Sequence, residues 1–167
     1  MFTHLHVHSQ YSVLDGQASI DALVDKAMAD GMPGMALTDH GNMFGIKEYF
    51  NYAAKKNGKT KGAIKEAEKA LAEAENAGDE ALAAEKRDEI EKLRKKIFKP
   101  IFGCEVYVAK NSLLDRADKA DKGRHLILLA KNSTGYHNLV KIVSRAWTEG
   151  FYFHPRTDKE DIRAHSE

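Results

Sequence analysis

The sequence has 167 residues, 43% of them hydrophobic, which fits one domain or a portion of a larger one. Its 26 basic and 25 acidic side chains give a net charge of +1, so no global field would hold nucleic acid and any such contact must be local. No apolar run approaches the roughly 18 residues of a membrane helix, nothing at the start is typical of a signal peptide, and a single cysteine excludes an internal disulfide. We therefore expect a reducing, cytoplasmic setting and no membrane partner.

Strand and helix signals alternate along the chain. Apolar runs predict strands at 2–7, 35–38, 101–108 and 125–130, and the last of these is predicted to be buried. Helices are predicted at 19–30, with Ser19 as N-cap, at about 44–56, and from Ser133 or Thr134 through Val143. Such repeated βα units predict a parallel sheet with right-handed crossovers. Because a closed barrel usually needs about 250 residues, we expect an open sheet or an incomplete chain, and we favour the incomplete chain.

Residues 59–99 form a compositional island of 11 basic and 10 acidic side chains, rich in strong helix formers and broken at Gly78-Asp79. Thin apolar spacing on both sides of the break predicts an inserted, charged, antiparallel helical hairpin. The hairpin is either a partner-binding arm or a solvated insertion, and alternating charge favours the insertion. Its removal should leave the fold intact.

Three histidines, His4, His6 and His8, alternate with apolar residues on the first predicted strand. A period of two points their imidazoles to one face, where two of them could bind one metal ion. The alternative is an edge strand with its polar residues outward. The polar loop that follows ends at Asp15, which becomes a further candidate ligand.

Two more strands carry polar residues where a parallel sheet places its sites. Asp39 and His40 end the second predicted strand, and Asp39 is interpreted as orienting a neighbouring histidine. Glu105 interrupts an otherwise apolar strand, where an unpaired carboxylate would be costly. Metal ligation would explain it better than a salt bridge at a sheet edge. Cys104 should face away from Glu105 and is expected in the core rather than as a nucleophile.

These motifs together resemble the polymerase and histidinol phosphatase (PHP) domain family. The residues that carry the resemblance are His6-Val7-His8, Leu14-Asp15-Gly16, Thr38-Asp39-His40 and Gly103-Cys104-Glu105. Within the family, the segments 1–16, 99–103 and 134–139 are similar to the branch found in bacterial DNA polymerase III alpha subunits. The resemblance implies an α/β fold, with residues 1–167 as the N-terminal portion of a distorted, TIM-like, seven-stranded βα barrel into which 59–99 is inserted.

The resemblance also implies a ligand set for divalent metal ions, zinc or manganese, with up to three ions in the complete domain. The implied ligands are His6, His8, Asp15, His40, Glu105 and His125, supported by Asp39. The family's remaining ligands would follow Glu167, so we expect an incomplete site and a chain without nuclease activity of its own. His154 and His165 are expected to be solvent-exposed loop residues.

Three functions are compatible with this resemblance. The first is a metal-dependent phosphoesterase, a 3′ to 5′ proofreading exonuclease within a replicative polymerase whose nucleotidyl-transfer site lies elsewhere. The second is a non-catalytic scaffold that stabilises the polymerase and docks a separate proofreading subunit. The third is a stand-alone phosphatase such as a histidinol phosphatase. The polymerase interpretations imply DNA and the other polymerase III holoenzyme subunits as partners.

Overall fold

The computed structural model describes residues 2–166, which form both helices and strands. The helices are α1 (Ile20–Ala29), α2 (Ile46–Ala77), α3 (Glu80–Arg94), α4 (Ser133–Thr148) and α5 (Lys159–Ala164). The strands are β1 (Gly34–Leu37), β2 (Lys99–Val108), β3 (Arg124–Leu129), β4 (Phe151–Tyr152) and β5 (His154–Thr157). Within these residues, no helix is long and apolar enough to cross a membrane.

The sheet is built around β2 and is mixed rather than parallel. β1 and β5 run parallel to successive stretches of one edge of β2, while β3 runs antiparallel along its other edge. The prediction of an all-parallel sheet is therefore wrong at β3. The segment 109–123 between β2 and β3 contains no helix, so the chain is not carried back to the far end of the sheet, as a parallel crossover requires.

The first predicted strand is extended but does not form a regular ladder. The backbone N–H of Ala36 donates to the His4 carbonyl at 2.8 Å, and that of Thr38 donates to the Val7 carbonyl at 2.9 Å. The Thr38 hydroxyl oxygen accepts the Val7 N–H at 2.9 Å. A side chain thus takes a place that a backbone group would occupy in a strand, yet the segment still follows β1 to its carboxyl end.

The charged hairpin does not begin at residue 59. Helix α2 continues without a break from Ile46 to Ala77, through the region where the sequence predicts one helix to end and an insertion to start. Asn57, which could have capped a helix, instead bonds through its side-chain amide to the backbone N–H and C=O of Phe98. Gly78 then ends α2 with a left-handed φ of 73°, and the Asp79 side chain caps α3.

Two apolar clusters pack on the sheet. One joins α1, α2 and β1 around Ile20, Leu37 and Tyr49. The other joins α4 and β2 through Cys104, Val106, Val108, Leu139 and Val143. Cys104 is fully buried, as predicted, and burial raises the pKa of its thiol to about 12. Because side chains alternate along a strand, Glu105 and Tyr107 lie on the opposite face of β2.

Two local predictions around β3 are corrected. The strand is not buried, since Leu126 and Leu129 remain 43% and 40% exposed. Among the described residues it pairs only with β2, so it is an edge strand. The cap of α4 is Asn132, whose side chain accepts the Gly135 N–H at 2.8 Å, and neither Ser133 nor Thr134 fills that position.

Candidate metal centre

All six predicted ligands meet at the carboxyl end of β2. The extended segment 2–8 and β1 deliver His6, His8 and His40 to this end, and Glu105 comes from β2 itself. His125 lies at the start of β3. In a parallel sheet this position would be at the opposite end of the sheet from the other ligands. Because β3 is antiparallel to β2, His125 pairs with Tyr107 and lies beside the carboxyl end of β2.

Glu105 is the centre of the cluster. Its Oε2 lies 2.6 Å from His8 Nε2 and 3.1 Å from His6 Nε2, and these two nitrogens are 2.9 Å apart. Its Oε1 lies 2.6 Å from His125 Nδ1. The carboxylate is only 4% exposed. A buried carboxylate in contact with three imidazoles therefore explains why an acidic residue interrupts an apolar strand.

Asp15 and His40 form the second half of the cluster. The Asp15 Oδ2 atom lies 2.6 Å from His40 Nδ1. The other ring nitrogen, His40 Nε2, is buried and has no hydrogen-bond partner among the described residues. Buried polar atoms in folded proteins are nearly always paired. An unpartnered imidazole nitrogen within a histidine and carboxylate cluster is the arrangement that a metal ion would complete.

Asp39 supports the site in a way that differs from the prediction. Its buried carboxylate accepts the Ser9 backbone N–H at 2.7 Å, the Ser9 hydroxyl at 2.8 Å and the Ser12 hydroxyl at 2.7 Å. Among residues 2–166, it bonds no histidine side chain. The Ser12 oxygen in turn accepts the backbone N–H of His40 at 2.9 Å. Asp39 thus fixes the loop 9–16, which carries Asp15, against the end of β1.

The electrostatics of the cluster favour ionised carboxylates. Burial pushes the pKa of Glu105 upward, but the hydrogen bonds from His6 and His8 and the charges of His40 and His125 outweigh it and hold that pKa below its usual value. The hydrogen bond from His40 lowers the pKa of Asp15. Both carboxylates are therefore kept in the form that binds cations.

Sequence reasoning missed two aromatic rings at this site. Tyr107 stacks with His40, with centroids 4.6 Å apart, and with His154, with centroids 4.5 Å apart, and its ring meets His125 edge-on. His154 starts β5 and is half-buried, so its prediction as an exposed loop residue is wrong. Burial and the nearby charge of His40 lower the pKa of His154. Side chains alternate along β2, so Tyr107 lies on the same face as Glu105. That pattern could have identified Tyr107 as part of the site from the sequence.

His165 is also not freely exposed. It follows α5, is partly buried, and its Nδ1 lies 2.8 Å from the Asp161 carbonyl oxygen. That contact joins a ring nitrogen to the helix end, away from the six ligands. His165 therefore belongs to the end of the helix rather than to the metal centre.

The donor set fits divalent metal ions. Three groups have ligand atoms within 4.8 Å of one another: His6, His8 and Glu105; His8, Asp15 and His40; and His40, Glu105 and His125. Imidazole nitrogens and carboxylate oxygens are the donors that zinc takes, and manganese accepts the same oxygens. His8, His40 and Glu105 each belong to two of these groups, so ions bound by neighbouring groups would lie close together. The arrangement can therefore form a cluster of metal ions at one end of the sheet.

The sequence matches a known family of protein domains. The chain matches the PHP domain family over residues 4–167, and it belongs to that family.

The chain is also similar to proteins named DNA polymerase III subunit alpha. It is 39% identical to that protein from Borreliella burgdorferi over 168 residues and 38% identical to the one from Treponema pallidum over 168 residues. It is 38% identical to the one from Thermus aquaticus over 173 residues. Each match covers 99% of this chain but only 11% of the relative. The chain thus spans about a tenth of the length of these relatives.

Proposed function

We propose that the chain is the amino-terminal portion of the PHP domain of a bacterial DNA polymerase III alpha subunit. The shared name of the relatives and their match along 99% of the chain support this. The whole protein would then be a cytoplasmic DNA-directed DNA polymerase that works with DNA and the other holoenzyme subunits. Later strands of the same domain would complete a seven-stranded barrel around the site.

The proposal assigns metal binding to His6, His8, Asp15, His40, Glu105 and His125. One observation carries it: a buried glutamate contacts three imidazoles beside a fourth whose Nε2 lacks a partner among the described residues. Bound divalent ions would lower the pKa of a coordinated water and neutralise charge on a phosphate. Asp15 orients His40, and Asp39 holds the loop that carries Asp15.

The overlap of the candidate ligand groups favours hydrolysis over a purely structural metal. His8, His40 and Glu105 each belong to two of the three groups, so ions bound by neighbouring groups would lie close together. Closely spaced ions can hold both the attacking and the leaving oxygen of a phosphoryl group, whereas a structural site holds one ion in a closed set of protein ligands. We therefore propose phosphodiester hydrolysis, with 3′ to 5′ exonuclease action as its form in a polymerase. Docking of a separate proofreading subunit is the alternative that the experiment must separate.

The test is digestion of a 3′-labelled DNA strand by the whole polymerase, purified without its proofreading subunit. We expect digestion that depends on added metal and is lost in Glu105→Gln, while polymerase activity is kept. His137→Ala is the matched control, because this exposed histidine on α4 contacts the Ser133 carbonyl and the Tyr136 ring and belongs to none of the candidate ligand groups. Digestion that survives Glu105→Gln, or no digestion in the metal-loaded wild type, would reject the hydrolytic function and favour the scaffold.

A further inference from the structure

A second charged feature adjoins the metal centre, with most of its lining on the other side of the β2–β3 ribbon. It is a cavity of about 400 Å³ between β3 and α5. Four cationic side chains line it, and all four are exposed: Lys110, Arg124, Lys159 and Arg163. The rest of its lining is apolar except for His125, which is also a proposed metal ligand. No aspartate or glutamate is among the described residues that line it.

These four cations line one cavity without an acidic partner among the described residues. Within residues 2–166, none of the four has an ion-pair partner. On the hairpin, by contrast, Lys86, Lys92 and Lys95 each lie within 2.7 Å of an acidic oxygen. The cavity therefore brings four unpaired positive charges together in one concave place, although the net charge of the chain is only +1. Such a place attracts polyanions.

Strand alternation fixes where the cavity lies relative to the metal centre. Arg124 and Leu126 pair with Val108 and Val106, which belong to the face that packs on α4. His125 pairs with Tyr107 and reaches Glu105 on the opposite face. Both features nevertheless lie at the carboxyl end of β2. His125 lines the cavity and also contacts Glu105, so the two features adjoin, and a chain of phosphates that passes over the end of the ribbon can reach both.

We propose that this cavity is a binding site for the phosphate backbone of a nucleic-acid strand. It anchors the strand at a phosphate away from the metal centre and does not take part in bond cleavage. The identification of the strand as DNA rests on the proposed function. The attraction between the four cations and a phosphate backbone does not depend on that function. Lysine and arginine that neutralise phosphates bind without regard to sequence, and the affinity falls as salt rises.

The test measures binding of a fluorescent single-stranded oligonucleotide to the 167-residue chain by anisotropy, over a series of salt concentrations. The variant carries Arg124→Gln, Lys159→Gln and Arg163→Gln. Its matched control carries Lys86→Gln, Lys92→Gln and Lys95→Gln on the hairpin, which makes the same change in net charge. We expect the cavity variant to bind at least about tenfold more weakly, with the log–log salt slope reduced by about 2, because each phosphate contact contributes about 0.7.

The outcomes separate this site from the metal centre. We expect the hairpin control to bind within about twofold of wild type, and inorganic phosphate to compete far less well per phosphate than an oligonucleotide. Equal losses in both triple variants, competition by phosphate as strong as by the oligonucleotide, or no binding by the wild type would overturn the proposal. Metal content, measured in parallel, should be unchanged in both variants. If the oligonucleotide results are as expected but the whole wild-type polymerase shows no metal-dependent digestion, only the proposed function fails.

Discussion

Replacing Asp39 by alanine tests whether a buried carboxylate organises the site. The side chain is 2% exposed and accepts three hydrogen bonds, from the Ser9 N–H, the Ser9 hydroxyl and the Ser12 hydroxyl. Bonds to a charged acceptor contribute about 1.5 to 3 kcal/mol each. Relief from burying a charge offsets part of that loss. We therefore expect Asp39→Ala to lower the free energy of unfolding by about 3 kcal/mol.

The assay is urea unfolding followed by circular dichroism, with Asp25→Ala as control. Asp25 also has partners, Lys56 and Tyr52, but it is solvent-exposed, so its loss should change stability little. Asp39→Ala should also weaken metal binding, because the loop 9–16 that carries Asp15 loses its anchor. If Asp39→Ala is as stable as Asp25→Ala, the carboxylate does not hold the loop and this account of the site is wrong.

Three further predictions follow from particular contacts. Asn57→Ala should lower the unfolding free energy by about 2 kcal/mol in the same urea assay, because it leaves the buried backbone groups of Phe98 unpaired. Tyr107→Leu should weaken zinc binding about tenfold in a chelator competition, because the ring that stacks on His40 is lost. Tyr107→Phe keeps the ring and should bind zinc as the wild type does. Equal affinity in all three proteins would contradict this prediction. Replacing 64–90 by a short glycine linker should leave metal content unchanged, and its loss would show that the hairpin supports the site.

Some of the candidate ligands could be singled out from the sequence because their signals are local. Alternation places His6 and His8 on one face of an extended segment, and an isolated glutamate in an apolar strand is conspicuous at Glu105. His125 was assigned through the family resemblance, and its place at the start of a strand was not explained by the sequence. The direction of β3 depends on pairing with a distant strand, and no local pattern reports it.

Other features depend on tertiary contacts that composition does not encode. Helix α2 passes through Asn57 because that side chain finds backbone partners at Phe98, 41 residues away. Arg156 is fully buried and donates to the carbonyl oxygens of Asp115 and Asp121, so it holds the loop before β3. The stacking of His154 on Tyr107 requires β5 to lie beside β2. Because the sequence does not show that pairing, His154 was predicted to be exposed.

Metal content by elemental analysis tests the central claim most directly. The 167-residue chain and the whole polymerase would be purified without chelator, each as wild type, His8→Ala and His137→Ala. The account predicts zinc or manganese in the wild type, with up to three ions in the whole protein, a loss in His8→Ala, and no change in His137→Ala. A whole protein that holds no metal, or a His8→Ala variant with the full wild-type content, would contradict the assignment of this cluster as a metal centre.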